Sequence, residues 1–163
     1  MTVCFTGHRP KSFSFGFNEQ HPQCIKIKEL IAKEIENLIV NYSADTFYTG
    51  MALGVDTWAA EAVLALKSKY PFIKLIAAIP FPNQSSTWSN DNKERYDNIL
   101  RQCDSKAITS LTYHQGCMSL RNEYMVNHSN IVLAVFDKTK SGGTASTVRY
   151  AEKQGKTIIH LNI

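Results

Sequence analysis

Thr46-Phe47-Tyr48-Thr49-Gly50-Met51-Ala52-Leu53-Gly54-Val55-Asp56 passes from a β-rich run, through two glycines, into the start of an apolar helix. The same order recurs along the chain. β-rich runs at Val3 to Thr6, Thr46 to Thr49, Ile73 to Ile79, Ala107 to Thr109, Ile131 to Phe136 and Thr157 to Leu161 are separated by helix-length segments. From Cys24, the residues Ile27, Ile31, Ile35, Leu38 and Tyr42 follow at intervals of three and four, which predicts an amphipathic helix with Pro22 in its first turn. A second helix is expected over Val55 to Tyr70, burying Val55, Trp58, Ala59, Ala62 and Leu66, with Lys67 and Lys69 near its negative end. Ser89 caps a third, a fourth spans Ser119 to Asn127, and a fifth follows Gly142-Gly143 and stops at Gly155 in a left-handed C′ position.

Continuously apolar strands alternating with helices must be covered on both faces, so the pattern predicts a single α/β domain over residues 1–163. Its architecture is a doubly wound, mainly parallel sheet. The chain has 163 residues, 44% of them hydrophobic and 20% charged, enough for a core without disulfides or structural metals. Cys4, Cys24, Cys103 and Cys117 lack zinc-ligand spacing and read as reduced core thiols, and no metal or other cofactor is expected. No apolar run approaches the roughly 20 residues of a membrane span, and Thr2 to Arg9 does not read as a signal sequence, so a cytoplasmic protein with no membrane partner is expected. The formal charge of +4 is spread among scattered basic residues, which favours a solvated surface over a nucleic-acid partner.

In such sheets ligands sit beyond the carboxyl ends of the strands, where strand order reverses. The loops there are unusual. Strand one runs into Thr6-Gly7-His8-Arg9-Pro10, strand two into Gly50 to Asp56, and strand five is followed by Ser141-Gly142-Gly143-Thr144. Glycines let backbone amides approach an anion, and a helix N-terminus adds about half a positive charge. Each loop suits a phosphate, although each also suits a plain turn. Gly50 and Gly54 lack the Gly-x-Gly-x-x-Gly spacing, and Gly155-Lys156-Thr157 leaves a helix instead of opening one, so neither a dinucleotide fingerprint nor a P-loop is present.

Thr6-Gly7-His8-Arg9-Pro10, Gly50 to Asp56 with Trp58-Ala59-Ala60-Glu61, and Arg121-Asn122 together with Gly142-Gly143-Thr144 resemble the YpsA-like branch of the SLOG (Smf/DprA and Lonely Guy) superfamily over essentially the whole chain. The resemblance implies a Rossmann-like fold, strand five beside strand one, and a nucleotide-associated pocket. Gly7, His8, Arg9, Gly50, Met51, Gly54, Asp56, Arg121, Asn122, Ser141, Gly142, Gly143 and Thr144 are its expected residues. Pro80 to Trp88 is also similar to the family, with Gln84 able to hydrogen-bond a base and Trp88 either to stack on it or to pack internally.

Within that superfamily, Lonely Guy enzymes hydrolyse an N-glycosidic bond. Arg121 and Met125 match their pattern, but Ala145, Ser146 and Arg149 stand where a glycine, a threonine and the glutamate belong. A cation cannot serve as that carboxylate, so catalytic residues are left unassigned. The leading expectation is binding or sensing of a small nucleotide-derived ligand, ADP-ribose-like or related. The alternatives are an N-glycosidase or phosphoribohydrolase, and single-stranded DNA binding of the DprA kind. Apolar residues left on helix faces would also suit a homo-oligomer.

Overall fold

The computed structural model covers residues 1–163. Six strands form one sheet: β1 (Thr2–Gly7), β2 (Thr46–Thr49), β3 (Lys74–Ile79), β4 (Ser105–Ile108), β5 (Ile131–Val135) and β6 (Thr157–Leu161). All neighbours pair in parallel, in the order β4-β3-β2-β1-β5-β6. The helices are α1 (Pro22–Tyr42), α2 (Val55–Leu66), α3 (Asn90–Gln102), α4 (Cys117–Asn127) and α5 (Gly143–Lys153). Parallel crossovers are right-handed, so connections moving in opposite directions along a sheet must use opposite faces. From β1 the chain steps outward to β4, and its α1, α2 and α3 share a core with Val3, Phe5, Phe47, Leu75 and Ala77. It then returns past β1 to β5 and β6, and α4 and α5 pack with Cys4, Ala78 and Val132 on the other face. This is a doubly wound Rossmann-like α/β fold, with strand order reversing between β1 and β5.

The elements begin and end for local reasons. Pro22 opens α1 while the His21 ring accepts from the Gln23 amide at 3.1 Å. The Ser89 hydroxyl caps α3 through the Asn92 amide at 3.3 Å. Two expectations are corrected. The α1 stripe closes on Leu38 and Ile39, leaving Tyr42 exposed beside the left-handed Ser43. Helix α2 ends at Leu66, not Tyr70, because Lys67 bonds to both Val63 and Leu64 and the chain tightens into turns leading to β3. The edge strand β4 is largely exposed, unlike the central strands. No helix is long and apolar enough to cross a membrane.

The junction of β1 with α2 places everything above the sheet. The Val55 amide donates to the His8 carbonyl at 3.2 Å. Gly54 has φ +92°, and a Cβ there would lie 2.5 Å from the same carbonyl oxygen and 3.0 Å from the Arg9 Cα. Only glycine meets both demands. Gly54→Ala should therefore cost at least about 2 kcal/mol in urea unfolding, from combined strain and overpacking. Gly143→Ala, whose added methyl meets nothing within 4 Å, should unfold at the wild-type midpoint.

Candidate functional site

The floor beyond the strand ends is organised around the carbonyl of Gly50. Arg121 of α4 donates to it through Nη1, and Gln84, in the loop between β3 and α3, donates through Nε2 at 3.1 Å. A Cβ on Gly50 would fall 2.6 Å from Arg121 Nη1 and 2.7 Å from Asp56 Oδ2, so only glycine allows this convergence. The Arg121 side chain is 2% exposed and also donates through Nε to Asn122 Oδ1 at 2.8 Å. Asp56 accepts from the Ala52 amide at 3.3 Å, and the Thr57 hydroxyl donates to the Ala52 carbonyl at 2.8 Å. Burial pushes the Asp56 pKa above the ordinary carboxylate value, with Arg121, the Ala52 amide and Arg9 pulling the other way without cancelling it. Burial lowers Arg121 from its usual value, and Asp56 offsets part of this.

Above this floor, Gly7, His8, Arg9, Asp56, Arg121, Asn122, Ser141, Gly142, Gly143 and Thr144 line one cavity of about 340 Å³. The other expected residues lie elsewhere. Gly50 is in the floor, Met51 is a core residue with φ 58° that is 2% exposed, and Gly54 sits beneath the His8–Arg9 backbone. Gln84 and Trp88 line a second cavity of about 730 Å³ that shares Arg9, Lys11, Ala52 and Met118 with the first. Gln84 donates one Nε2 hydrogen to the Gly50 carbonyl and accepts from the Tyr96 hydroxyl through Oε1 at 3.3 Å, so the protein itself orients its amide in the cavity wall. Trp88 packs edge-on against Tyr96, with ring centroids 5.4 Å apart. Sequence reasoning missed Lys11, Ser12, Met118, Ser119 and Lys140, all of which line the first cavity. The two lysines adjoin the motifs that were read, and their basic character was the available signal.

Four cations, Arg9, Lys11, Arg121 and Lys140, line the first cavity with one carboxylate, Asp56. Helix α5 starts at its rim. The first amide of that turn bonded within it is Ser146, to the Gly142 carbonyl at 3.0 Å, so the amides of Gly143, Thr144 and Ala145 have no intrahelical acceptor. Such an array can receive an anion. The Arg9 and Lys11 side chains are exposed at the rim. Arg149, at the position of the Lonely Guy glutamate, is exposed, bonds to Ser146 Oγ at 3.0 Å and does not line this cavity.

His8 holds the loops together. Its Nε2 accepts from the Asp137 amide at 3.0 Å, which fixes a neutral ring with the proton on Nδ1, and Phe13 and Phe136 meet it edge-on. Burial, then Lys140, lower its pKa below the ordinary 6.5, with Asp137 opposing them. The unfolded chain thus takes up a proton at this residue before the folded chain does. Stability should fall as pH drops below about 6.5 toward the lower folded value. His8→Gln keeps an acceptor but does not titrate, and its urea midpoint should fall less steeply between those pH values than that of the wild type. His160, also lowered by burial, contributes part of the slope that remains.

Comparison with known proteins follows this geometry. The chain is 32% identical over 157 residues to the UPF0398 protein BCG9842_B3730 of Bacillus cereus (strain G9842), covering 94% of this chain and 84% of that protein. The UPF0398 protein of Bacillus thuringiensis (strain Al Hakam) matches with the same identity and coverage. Among solved structures, DNA processing protein A from Helicobacter pylori, described for its single-stranded DNA binding mode, superimposes with a TM-score of 0.64 at 20% identity. That match covers all of this chain and 66% of the other, and the likeness is one of fold. The model of the YspA SLOG family matches residues 3–162, and the chain belongs to that family.

Proposed function

We propose that this protein binds a phosphate-bearing, nucleotide-derived ligand, of the ADP-ribose kind or related, in the cavity between the ends of β1 and β5. The carrying observation is the lining itself: four cations to one carboxylate, beside the unclaimed amides that open α5. Arg121 is fixed by the Gly50 carbonyl, while Arg9 and Lys11 reach in from the rim and make no ion pair of their own. A preorganised floor with adaptable rim cations is what a phosphate group requires. Binding is favoured over glycosidic hydrolysis because Asp56 is the one carboxylate lining the cavity, whereas paired-carboxylate hydrolysis uses two.

Isothermal titration with AMP, ADP, ADP-ribose and its cyclic forms tests this reading. At least one should bind, and Arg9→Ala should weaken that binding roughly ten- to hundred-fold, the loss of one charge-assisted contact, without moving the thermal midpoint. No heat from any of them would reject it. A second reading, single-stranded DNA in the same cleft, is favoured by the fold likeness to DNA processing protein A. It requires oligonucleotide affinity that falls steeply with salt and exceeds that of the mononucleotides.

A further inference from the structure

The second cavity differs in chemistry from the first. It lies between the chain that follows β1 and the first turn of α3, and it meets the first cavity at Arg9 and Lys11. Two aromatic side chains line it, Phe17 and Trp88. Phe17 is 61% exposed, yet its segment is strongly tethered. Glu19, two residues on, accepts from Nη1 and Nη2 of Arg95 at 2.5 and 3.0 Å and from Lys28, and Arg95 is itself held by Glu61 through Nε. On the other side of Phe17, Phe13 and Phe15 are stacked at 4.8 Å and packed on Trp58. The exposed ring is thus presented by an anchored loop. What sets Phe17 apart from the chain's other exposed apolar side chains, such as Leu111 and Phe72, is that it lines a cavity together with a second aromatic, Trp88.

The polar groups narrow what this compartment takes. Asp91 and Asn92 of α3 line it, and the Asn92 side chain makes no hydrogen bond within the protein, leaving a free amide with donor and acceptor. Its two carboxylates, Glu19 and Asp91, stand against the two cations, Arg9 and Lys11, that it shares with the first cavity, so it lacks the four-to-one cationic surplus found there. A planar, uncharged ring system with hydrogen-bonding edges fits both the aromatic walls and the amide. The volume of about 730 Å³ admits a base with its ribose.

We propose that this compartment is a nucleobase subsite, with Phe17 and Trp88 contacting the ring and Asn92 reading its edge. The ligand class is then a nucleotide whose phosphate and base are held apart, on either side of Arg9 and Lys11. The assignment rests on the phosphate reading of the first cavity, and the experiment separates the two. Inorganic pyrophosphate and ADP are titrated calorimetrically into the full chain and into Phe17→Ala, Trp88→Leu and Asn92→Ala. ADP should bind about ten-fold tighter than pyrophosphate, the usual scale of base stacking. Phe17→Ala, at an exposed site with little bearing on folding, should erase most of that margin and leave pyrophosphate affinity unchanged. The chain has two tryptophans, and Trp58 is buried. ADP, but not pyrophosphate, should therefore quench part of the tryptophan emission, and Trp88→Leu, which leaves the shielded Trp58 as the one emitter, should abolish that quenching. Equal affinities for ADP and pyrophosphate, or a margin untouched by Phe17→Ala and Trp88→Leu, would overturn the base subsite alone. Binding of neither ligand would overturn the phosphate reading and the subsite with it.

Discussion

A single backbone oxygen, the carbonyl of Gly50, holds the site together. It receives Arg121 from one face of the sheet and Gln84 from the loop that leads into α3. Asp56 closes on the same glycine from α2. Burying a guanidinium costs several kcal/mol unless its donors are satisfied, and here Arg121 is satisfied by Gly50 and Asn122 instead of by a directly bonded carboxylate. The arginine is thus fixed in place while much of its positive charge remains uncancelled by contact. Elements from both sides of the sheet are locked to one point, and the charge is available to whatever enters above it.

The reversal of strand order explains why the entry lies there. Loops leaving β1 and β5 diverge because their connections run over opposite faces. Helix α5, on one face, lends its open amides to the gap. The chain leaving β1 toward α1 supplies Arg9, Lys11 and the anchored Phe17 segment on the other. One topological feature therefore produces a cleft with two chemically different walls, polar and cationic where α5 begins, aromatic where the first crossover folds back.

Much of this was legible in the residues. All six strands occur in the expected order, β4 beginning at Ser105, two residues before its expected start, and Gly155 closes α5 with φ +66°, as its position after the helix implied. The sheet is legible because burial on both faces writes itself as continuous apolar runs. The Gly50 to Gly54 loop was harder. A glycine that admits an anion and a glycine that admits another part of the protein look alike in sequence, and here Gly50 admits Arg121 while Gly54 admits the His8 carbonyl. The short 3-10 turn at Pro10–Ser12 and the Phe13–Glu19 segment were not foreseen, because Phe13, Phe15 and Glu19 gain their places from Trp58, Arg95 and Lys28, distant in sequence. Periodicity carries no trace of such contacts.

The net charge acquires a location. The chain's formal +4 looked like a diffuse surplus of 18 basic over 14 acidic residues. The first cavity alone draws on four of those basic residues and one of the acidic ones. What is left over the rest of the chain is fourteen against thirteen, close to neutral. An extended polyanion is ordinarily met by a stripe of cations that follows its backbone. A surplus gathered in one cavity instead concentrates positive potential at one place. The placement of the charge, more than its amount, is what sets this cavity apart from the rest of the surface.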